Sequence, residues 1–241
     1  MRRILILAAL LAVILVYPAA AQEVTLDLGQ GDSLAARSVQ LLALITVLSV
    51  VPGLAVMVTC FPFIVTVLSI LRQGIGLQQA PPNMLIISLA LFLTWYVMDP
   101  VFTEAWVKGV QPFTENRLTI TQAFLEAAQP FRHFMAARID PDTFANLDAL
   151  RPRAPSAVVD APLSLLVPSF LLSEIQRAFE IGFLVFLPFL IIDLVVSAIL
   201  MSMGMMMVPP AVVSLPFKLA FFVVADGWSL LAAALVRSYT Q

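Results

Sequence analysis

Residues 173–210, SEIQRAFEIGFLVFLPFLIIDLVVSAILMSMGMMMVPP, decide the fold of this 241-residue chain. The stretch opens with polar side chains that recur on one helical face, namely Ser173, Gln176, Arg177 and Glu180. Ser173 with Gln176 also matches a capping box, which predicts that a helix begins there. Ile181–Leu200 then carries a single charge, Asp193, and has about the length that a membrane-spanning helix needs. The stretch therefore predicts a membrane helix with a polar collar at its start.

Methionine dominates the end of the same stretch. Five of the ten methionines follow the apolar helix closely: Met201, Met203, Met205, Met206 and Met207. Pro209 and Pro210 close the cluster, and proline cannot donate the backbone hydrogen bond that a continuing helix requires. We therefore expect a tight apolar turn at this point, and its methionines either fill a core at the helix end or serve a binding surface.

Three segments of this stretch resemble signature regions of the FliP family: SEIQRAFEIGF (173–183), LPFLIIDLVV (187–196) and MSMGMMMVPP (201–210). The likeness is clearest from Leu163 to Asp226 and extends through Leu41 to Pro100. FliP proteins are membrane components of the flagellar type III protein export gate. The resemblance implies a core subunit that assembles with several copies of itself and with FliQ-like and FliR-like proteins. Together they would surround a conduit for unfolded flagellar proteins at the basal body, in the bacterial inner membrane.

The resemblance also implies roles for particular side chains. The methionine cluster, chiefly Met205, Met206 and Met207, resembles the gasket of the export gate, since adaptable thioether side chains can close around a passing chain. Lys218 lies in an apolar segment and needs an acidic partner, because an uncompensated charge in the membrane costs several kcal/mol, roughly, on insertion scales. The resemblance favours a salt bridge from Lys218 to Glu174 of a neighbouring copy. The alternative is a pair with Asp193 of the same chain.

Composition sets limits on the function. The chain is 61% hydrophobic and only 12% charged, with a mean hydropathy of +1.00, which indicates an integral membrane protein. Its net charge of -2 provides no basic surface for nucleic acid. The single cysteine, Cys60, lies in an apolar run, and His133 has no second ligand at metal spacing, so we expect a core thiol and a surface histidine. No catalytic or nucleotide motif is present, and we expect no enzymatic activity and no cofactor.

The first residues have the pattern of a secretory signal peptide. Arg2 and Arg3 precede a short apolar run that ends before Pro18, and Ala19 and Ala21 form a small-x-small cleavage site. We therefore predict a signal peptide over residues 1–21, followed by a polar lead over residues 22–38 on the outer side of the membrane.

Residues 39–100 are predicted to form a first membrane hairpin. Val39–Leu71 contains no charge, but one straight helix of that length would extend about 50 Å, beyond a hydrocarbon core of about 30 Å. Pro52-Gly53 and Pro62 provide break points, so we expect one kinked helix or two shorter ones. A loop follows from Arg72, and a second apolar helix is expected to stop at Asp99-Pro100.

Residues 101–161 have the composition of a soluble insertion, which the resemblance places on the periplasmic side. The spacing over Thr119–Arg138 predicts an amphipathic helix, whose apolar face packs either on another copy or on its own chain. Asp140–Asp160 is interpreted as a linker back to the membrane. Residues 162–241 form the second membrane region, and its last apolar segment, Ala211–Val236, carries Lys218 and Asp226.

The sequence thus predicts an all-α, multi-pass membrane protein with about four membrane segments, built from kinked and proline-broken helical hairpins, and a mostly helical outer insertion. A homologous subunit of a virulence-type injectisome is one alternative function. The other is a proton-coupled small-solute transporter that uses Asp193 and Asp226 as relay carboxylates.

Overall fold

The computed structural model describes residues 34–76, 81–151, 157–205 and 207–239, except for the side chains of residues 34–37, 47 and 51. These parts of the chain are helical and contain no strand. Their α-helices, in chain order, are α1 (Leu34–Met57), α2 (Phe61–Ile75), α3 (Asn83–Ala105), α4 (Gln111–Thr114), α5 (Ile120–Arg138), α6 (Pro141–Asp148), α7 (Leu163–Ser202), α8 (Pro210–Val224) and α9 (Gly227–Arg237). The chain divides into two compact units after Leu48, and the side chains discussed below belong to the second unit, 49–241. The predicted signal peptide and its cleavage site at Ala19 and Ala21 lie outside the described residues.

The first apolar run contains a break, as expected. Of the two alternatives, the structure has two helices, α1 and α2, separated at Val58–Cys60. Pro52 lies inside α1, whereas Pro62 occupies the first turn of α2, where its missing N–H is not needed. Cys60 is fully buried beside the start of α2, which confirms the prediction of a core thiol.

The expected stop at Asp99-Pro100 is wrong. α3 continues through Pro100 to Ala105, and a π-helical turn over Trp106–Val110 carries it into α4. A proline removes one backbone hydrogen bond, and a helix of this length keeps the bonds on both sides of it. The continuous helical stretch Asn83–Thr114 has 32 residues and is long and apolar enough to cross a membrane.

Residues 173–202 of the stretch quoted first belong to one uninterrupted helix of 40 residues, α7, which contains both Pro168 and Pro188. The predicted capping box at Ser173 is therefore wrong, because α7 begins ten residues earlier, at Leu163. Ser173 lies inside the helix, where its hydroxyl donates to the carbonyl of Ser169 at 2.8 Å. A serine within a helix satisfies its hydroxyl in this way when the backbone amides ahead of it are already bonded.

Three described helical stretches are long and apolar enough to cross a membrane, or four if the bent pair α8 and α9 counts as one span. The pair bends by 62° at Asp226, which adopts a left-handed conformation with φ 50°. This agrees with the predicted class, an all-α membrane protein with about four membrane segments. The last apolar segment is not one continuous helix, however, and Asp226 lies at its break.

Two buried clusters hold the second unit together. The larger one joins α2, α3 and α7 to α8 and α9 through side chains such as Phe63, Leu68, Ala178, Phe189 and Phe222. The smaller cluster packs the insertion on the first turns of α7, and its members are Met135, Ile139, Phe144, Ala161, Leu165, Leu166 and Phe170.

The predicted amphipathic helix is confirmed as α5, and Thr119 caps it in a capping box with Gln122. The second half of its apolar face packs on its own chain through Met135 and Phe134, whereas Phe124, in the first half, is exposed. The region interpreted as a linker contains a helix as well, since Asp140 caps α6 by accepting from the Thr143 amide at 2.8 Å.

Candidate functional site

The methionine cluster forms the turn between α7 and α8, as predicted. α7 ends at Ser202, Gly204 takes a left-handed conformation with φ 75°, and α8 begins at Pro210. Every described side chain of residues 201–205 and 207–209 is exposed, and Met207 is 98% exposed. Met206 lies outside the described residues. The described methionines therefore do not fill a core of their own chain, which was the alternative.

Lys218 lies in a polar network behind the turn, although it is on an apolar helix. Its ammonium is 2.6 Å from Oδ2 of Asp193 on α7, and its side chain is only 6% exposed. It also donates to the carbonyl of Gly74 at 3.0 Å. Ser214, one helical turn before Lys218, donates to Oδ1 of Asp193 at 2.5 Å. The network therefore joins α2, α7 and α8 at a single lysine, and the two opposite charges neutralise each other.

Glycines let the helices of this network approach each other. A Cβ added at Gly74 would lie 3.0 Å from the rings of Phe186 and Phe189, which belong to α7. A Cβ at Gly182 would lie 2.4 Å from Ile70 on α2. A larger residue at either position would force these side chains to shift, so the glycines let α2 pack closely on α7 where the Gly74 carbonyl meets Lys218.

Glu174 lies in a second charged network on the same helix, and its side chain is completely buried. Its Oε1 is 3.0 Å from Nε of Arg138, which lies at the end of α5, and 3.5 Å from Arg177. The hydroxyl of Tyr239 donates to its other oxygen. A buried carboxylate needs such partners, because the apolar surroundings would otherwise favour its neutral form.

Arg138 connects this network to the end of the chain. Its NH1 donates to the carbonyl of Ser238 at 2.8 Å, and its guanidinium lies 4.1 Å from the centre of the Tyr239 ring. A guanidinium over an aromatic face at this distance makes a favourable cation–π contact. Burial, followed by the negative charge of Glu174, raises the pKa of the Tyr239 hydroxyl above its ordinary range, so Tyr239 remains a hydrogen-bond donor.

The structure gives Glu174 and Lys218 different partners within the chain. Lys218 has the intrachain partner that the sequence left as the alternative, Asp193, and Glu174 is paired with Arg138 and Arg177. A salt bridge from Glu174 to Lys218 of a neighbouring copy is not tested by one chain and stays a prediction. Because the side chain of Glu174 is completely buried, such a bridge would require its network with Arg138 to open, and breaking a buried pair costs about 3–5 kcal/mol.

The remaining predicted site residues are more exposed. In the polar collar, Gln176 donates to Glu180 at 3.2 Å, and both side chains lie on the surface of α7. Asp226 is exposed at the bend before α9, and it does not lie inside an apolar helix as expected. His133 is also exposed, and no group of side chains that could hold a metal ion occurs among the described residues.

Sequence reasoning missed Arg138, Tyr239 and Ser214 as members of the two networks. Arg138 and Ser238 are 100 positions apart in the chain, and no periodicity relates residues at that distance. The one available signal was local, since Ser214 and Lys218 are four residues apart and so share a face of α8 with a charge that needs a partner.

Known proteins resemble this chain over nearly all of its length. The profile described as the FliP family matches residues 44–235. A "Flagellar biosynthetic protein FliP" of Caulobacter vibrioides is 48% identical over 238 residues, which cover 98% of this chain and 90% of that protein. The protein of the same name in Agrobacterium fabrum is 49% identical over 95% of this chain and 97% of the relative, and that of Bacillus subtilis is 43% identical over 84% and 92%. A match of this extent shows that the chain belongs to the FliP family.

Proposed function

We propose that this chain is a membrane-embedded component of the flagellar protein export apparatus, and that several copies of it, with FliQ-like and FliR-like proteins, surround a conduit for unfolded substrates. Membership of the FliP family supports the flagellar role, because the relatives are named as flagellar biosynthetic proteins. The observation that supports the conduit is the exposed methionine turn between α7 and α8. In this proposal the turn lines the conduit and closes it when no substrate passes.

The chemistry of the turn suits that task. Thioether side chains are unbranched and polarizable, so they adapt to substrates of varied sequence. Met205 and Met207 offer apolar surface without charge, and a hydrophobic constriction blocks ions by excluding water. A seal of this kind needs side chains from several copies, since one turn cannot enclose an opening.

The surface of α7 supports an assembly around each copy. Large apolar side chains such as Phe183, Leu184 and Leu194 are each at least 60% exposed. A continuous apolar surface on a protein requires lipid or another subunit to cover it. In the proposed arrangement both cover it, with lipid on the outside and neighbouring subunits on the inside. The insertion, with its exposed Phe124, lies on the periplasmic side of the inner membrane and contributes to contacts between copies.

The decisive experiment removes the gene from the bacterium that carries it and restores either the native gene or a variant that lacks residues 205–207. The strain that lacks the gene should lose motility and secretion of filament protein, and the native gene should restore both. The native protein, extracted in detergent, should have the mass of several copies with at least one other membrane protein. Normal secretion by the strain that lacks the gene would refute the proposal, and so would a native extract in which the chain is monomeric.

The shortened variant tests the conduit separately. If the turn seals an opening, the complex built from the shortened variant should conduct ions across a planar bilayer in the absence of substrate. The native complex should not. Unchanged conductance in an assembled complex would show that the turn does not form the seal.

A further inference from the structure

We propose that Asp193, Lys218 and the carbonyl of Gly74 form a strut that holds the methionine turn in its closed position, and that the turn moves when Lys218 separates from Asp193. The inference rests on the proposed function only in assigning the turn to a conduit. The strut itself follows from contacts within one chain, whereas its test uses the complete complex, in which neighbouring copies cover the turn.

The turn does not hold itself in place. Its described side chains are exposed, and a Cβ added at Gly204 would meet no atom within 4 Å. Its backbone hydrogen bonds are local, such as those from Met203 to Ile199 at 3.1 Å and from Met205 to Leu200 at 3.0 Å. These bonds fix the shape of the turn but not its position. Its position is set by the two helices that lead into and out of it, α7 and α8.

Two hydrogen bonds join the facing side chains of these helices, and both end on Asp193. Ser214 donates to Oδ1 at 2.5 Å, and Lys218 donates to Oδ2 at 2.6 Å. Ser214 lies about one helical turn after Pro210, where α8 begins, so the carboxylate fastens α8 to α7 close to the turn.

The Gly74 carbonyl adds a third helix to the fastening. It lies in the last turn of α2, and carbonyl groups at the end of a helix carry partial negative charge that favours a cation. Lys218 donates to it at 3.0 Å, and Gly74 is itself pressed against Phe186 and Phe189 of α7. One ammonium group therefore adds a polar contact to both helices where α8 also packs on α7 through the ring of Phe189, which lies 6.1 Å from that of Phe221.

The two charged groups of the strut differ in their access to solvent. The side chain of Asp193 is 37% exposed, whereas that of Lys218 is 6% exposed. Asp193 can be solvated where it stands when the pair separates, but Lys218 cannot, and leaving it buried and unpaired is costly. Lys218 must therefore travel with α8 to water or to another acceptor. Separation of the pair is in this way coupled to movement of the turn.

The experiment uses the complete complex in detergent and measures how fast a cysteine at the turn reacts with a maleimide. Met207→Cys supplies the cysteine, and the natural Cys60 is fully buried and contributes a background that the unmodified protein measures. In this background Asp193→Asn removes the charge that holds Lys218. Asp99→Asn is the matched control, since it makes the same change at an exposed position in another apolar helix, α3.

Asp193→Asn should increase the labelling rate about tenfold, which corresponds to about 1.4 kcal/mol in the equilibrium between the two positions of the turn. Asp99→Asn should leave the rate unchanged, and Asp193→Glu should restore most of the slow labelling. Equally slow labelling in Asp193→Asn, Asp99→Asn and the parent complex, with assembly intact, would overturn the proposal. Equally fast labelling in all three would instead show that copies do not cover the turn, and would overturn the conduit.

Ser214→Ala decides the question if Asp193→Asn fails to assemble, because it weakens the fastening without leaving a charge unpaired. It should increase labelling about threefold, or about half of the same free energy. No increase would overturn the strut. The proposed function stands or falls on secretion and on the mass of the native complex, and neither measurement depends on these variants.

Discussion

Replacing Glu174 by glutamine should destabilise the protein more than any other single change in the polar collar region of α7. The substitution keeps the size of the side chain and an oxygen that can accept from Tyr239. It removes the charge that faces Arg138 at 3.0 Å and Arg177 at 3.5 Å. Arg138 is left with its carbonyl acceptor at Ser238 and no counter-charge, in a site where its side chain is only 15% exposed.

The magnitude follows from that burial. Removing one partner of a buried pair costs about 3–5 kcal/mol, and the hydrogen bonds that glutamine retains place the expected loss near the lower value, about 3 kcal/mol. Arg177 adds little to this figure, because its side chain is 34% exposed and solvent screens its contact with Glu174. For a chain of this size each kcal/mol lowers the midpoint of thermal unfolding by about 2–4 °C, so the expected decrease is about 6–12 °C.

The assay is thermal unfolding of the detergent-solubilised protein, followed by tryptophan fluorescence at one heating rate. Glu180→Gln provides the matched control on the same helix, since Glu180 is exposed and its hydrogen bond to Gln176 is a surface contact. It should change the unfolding free energy by no more than about 0.5 kcal/mol. A Glu174→Gln protein that unfolds within 2 °C, roughly, of the control would refute the reasoning from buried charge.

Three further changes test other parts of the structure. Gly109→Ala should destabilise the packing of the π-helical turn on α5 by about 1–3 kcal/mol, since its Cβ would lie 2.5 Å from Ala127, whereas Gly53→Ala meets no atom within 4 Å and should not destabilise the fold. The amide and hydroxyl of Thr143 hold the pKa of the Asp140 carboxyl below its usual value, with the amide contributing more. The cap should therefore stabilise α6 above the unfolded-state pKa of about 4 and lose its effect as pH falls through the lower folded-state pKa, as hydrogen exchange at Thr143 would show. Phe124→Ser should leave the thermal unfolding of a single copy unchanged, because this side chain is exposed on α5, and should weaken the assembled complex if copies meet there.

The helices that sequence reasoning located best were those with local signals. The spacing of apolar residues over Thr119–Arg138 located α5, and the paired prolines lie at the start of α8, because periodicity and proline act on neighbouring residues. The capping box of Thr119 with Gln122 is a further local signal that sequence reasoning missed. Pro100 predicts a stop that the structure does not have, since whether a proline ends a helix depends on the packing around it, which a sequence does not display.

The candidate site likewise contains features that local sequence signals predict and contacts that they do not. The methionine turn could be predicted because composition and a double proline define it within ten residues. The partner of Lys218 could only be narrowed to a few acidic residues, and Arg138 was not predicted as a partner of Glu174, since the contacts join positions 25 and 36 residues apart in the chain. Lys218 to Asp193 was among the alternatives, whereas the contribution of Tyr239 depends on the path of the last helix and had no signal.

The unbroken length of α7 has a consequence for how it can sit in a membrane. At 1.5 Å per residue its 40 residues extend about 60 Å, twice a hydrocarbon layer of about 30 Å. To fit inside that layer the helix would have to lean about 60° from the normal, beyond the tilts up to about 40° that spanning helices adopt. Part of this rod must therefore stand clear of the lipid. Its first turns are packed on the insertion and its other end carries the methionines, so a single rigid helix connects the insertion to the methionine turn.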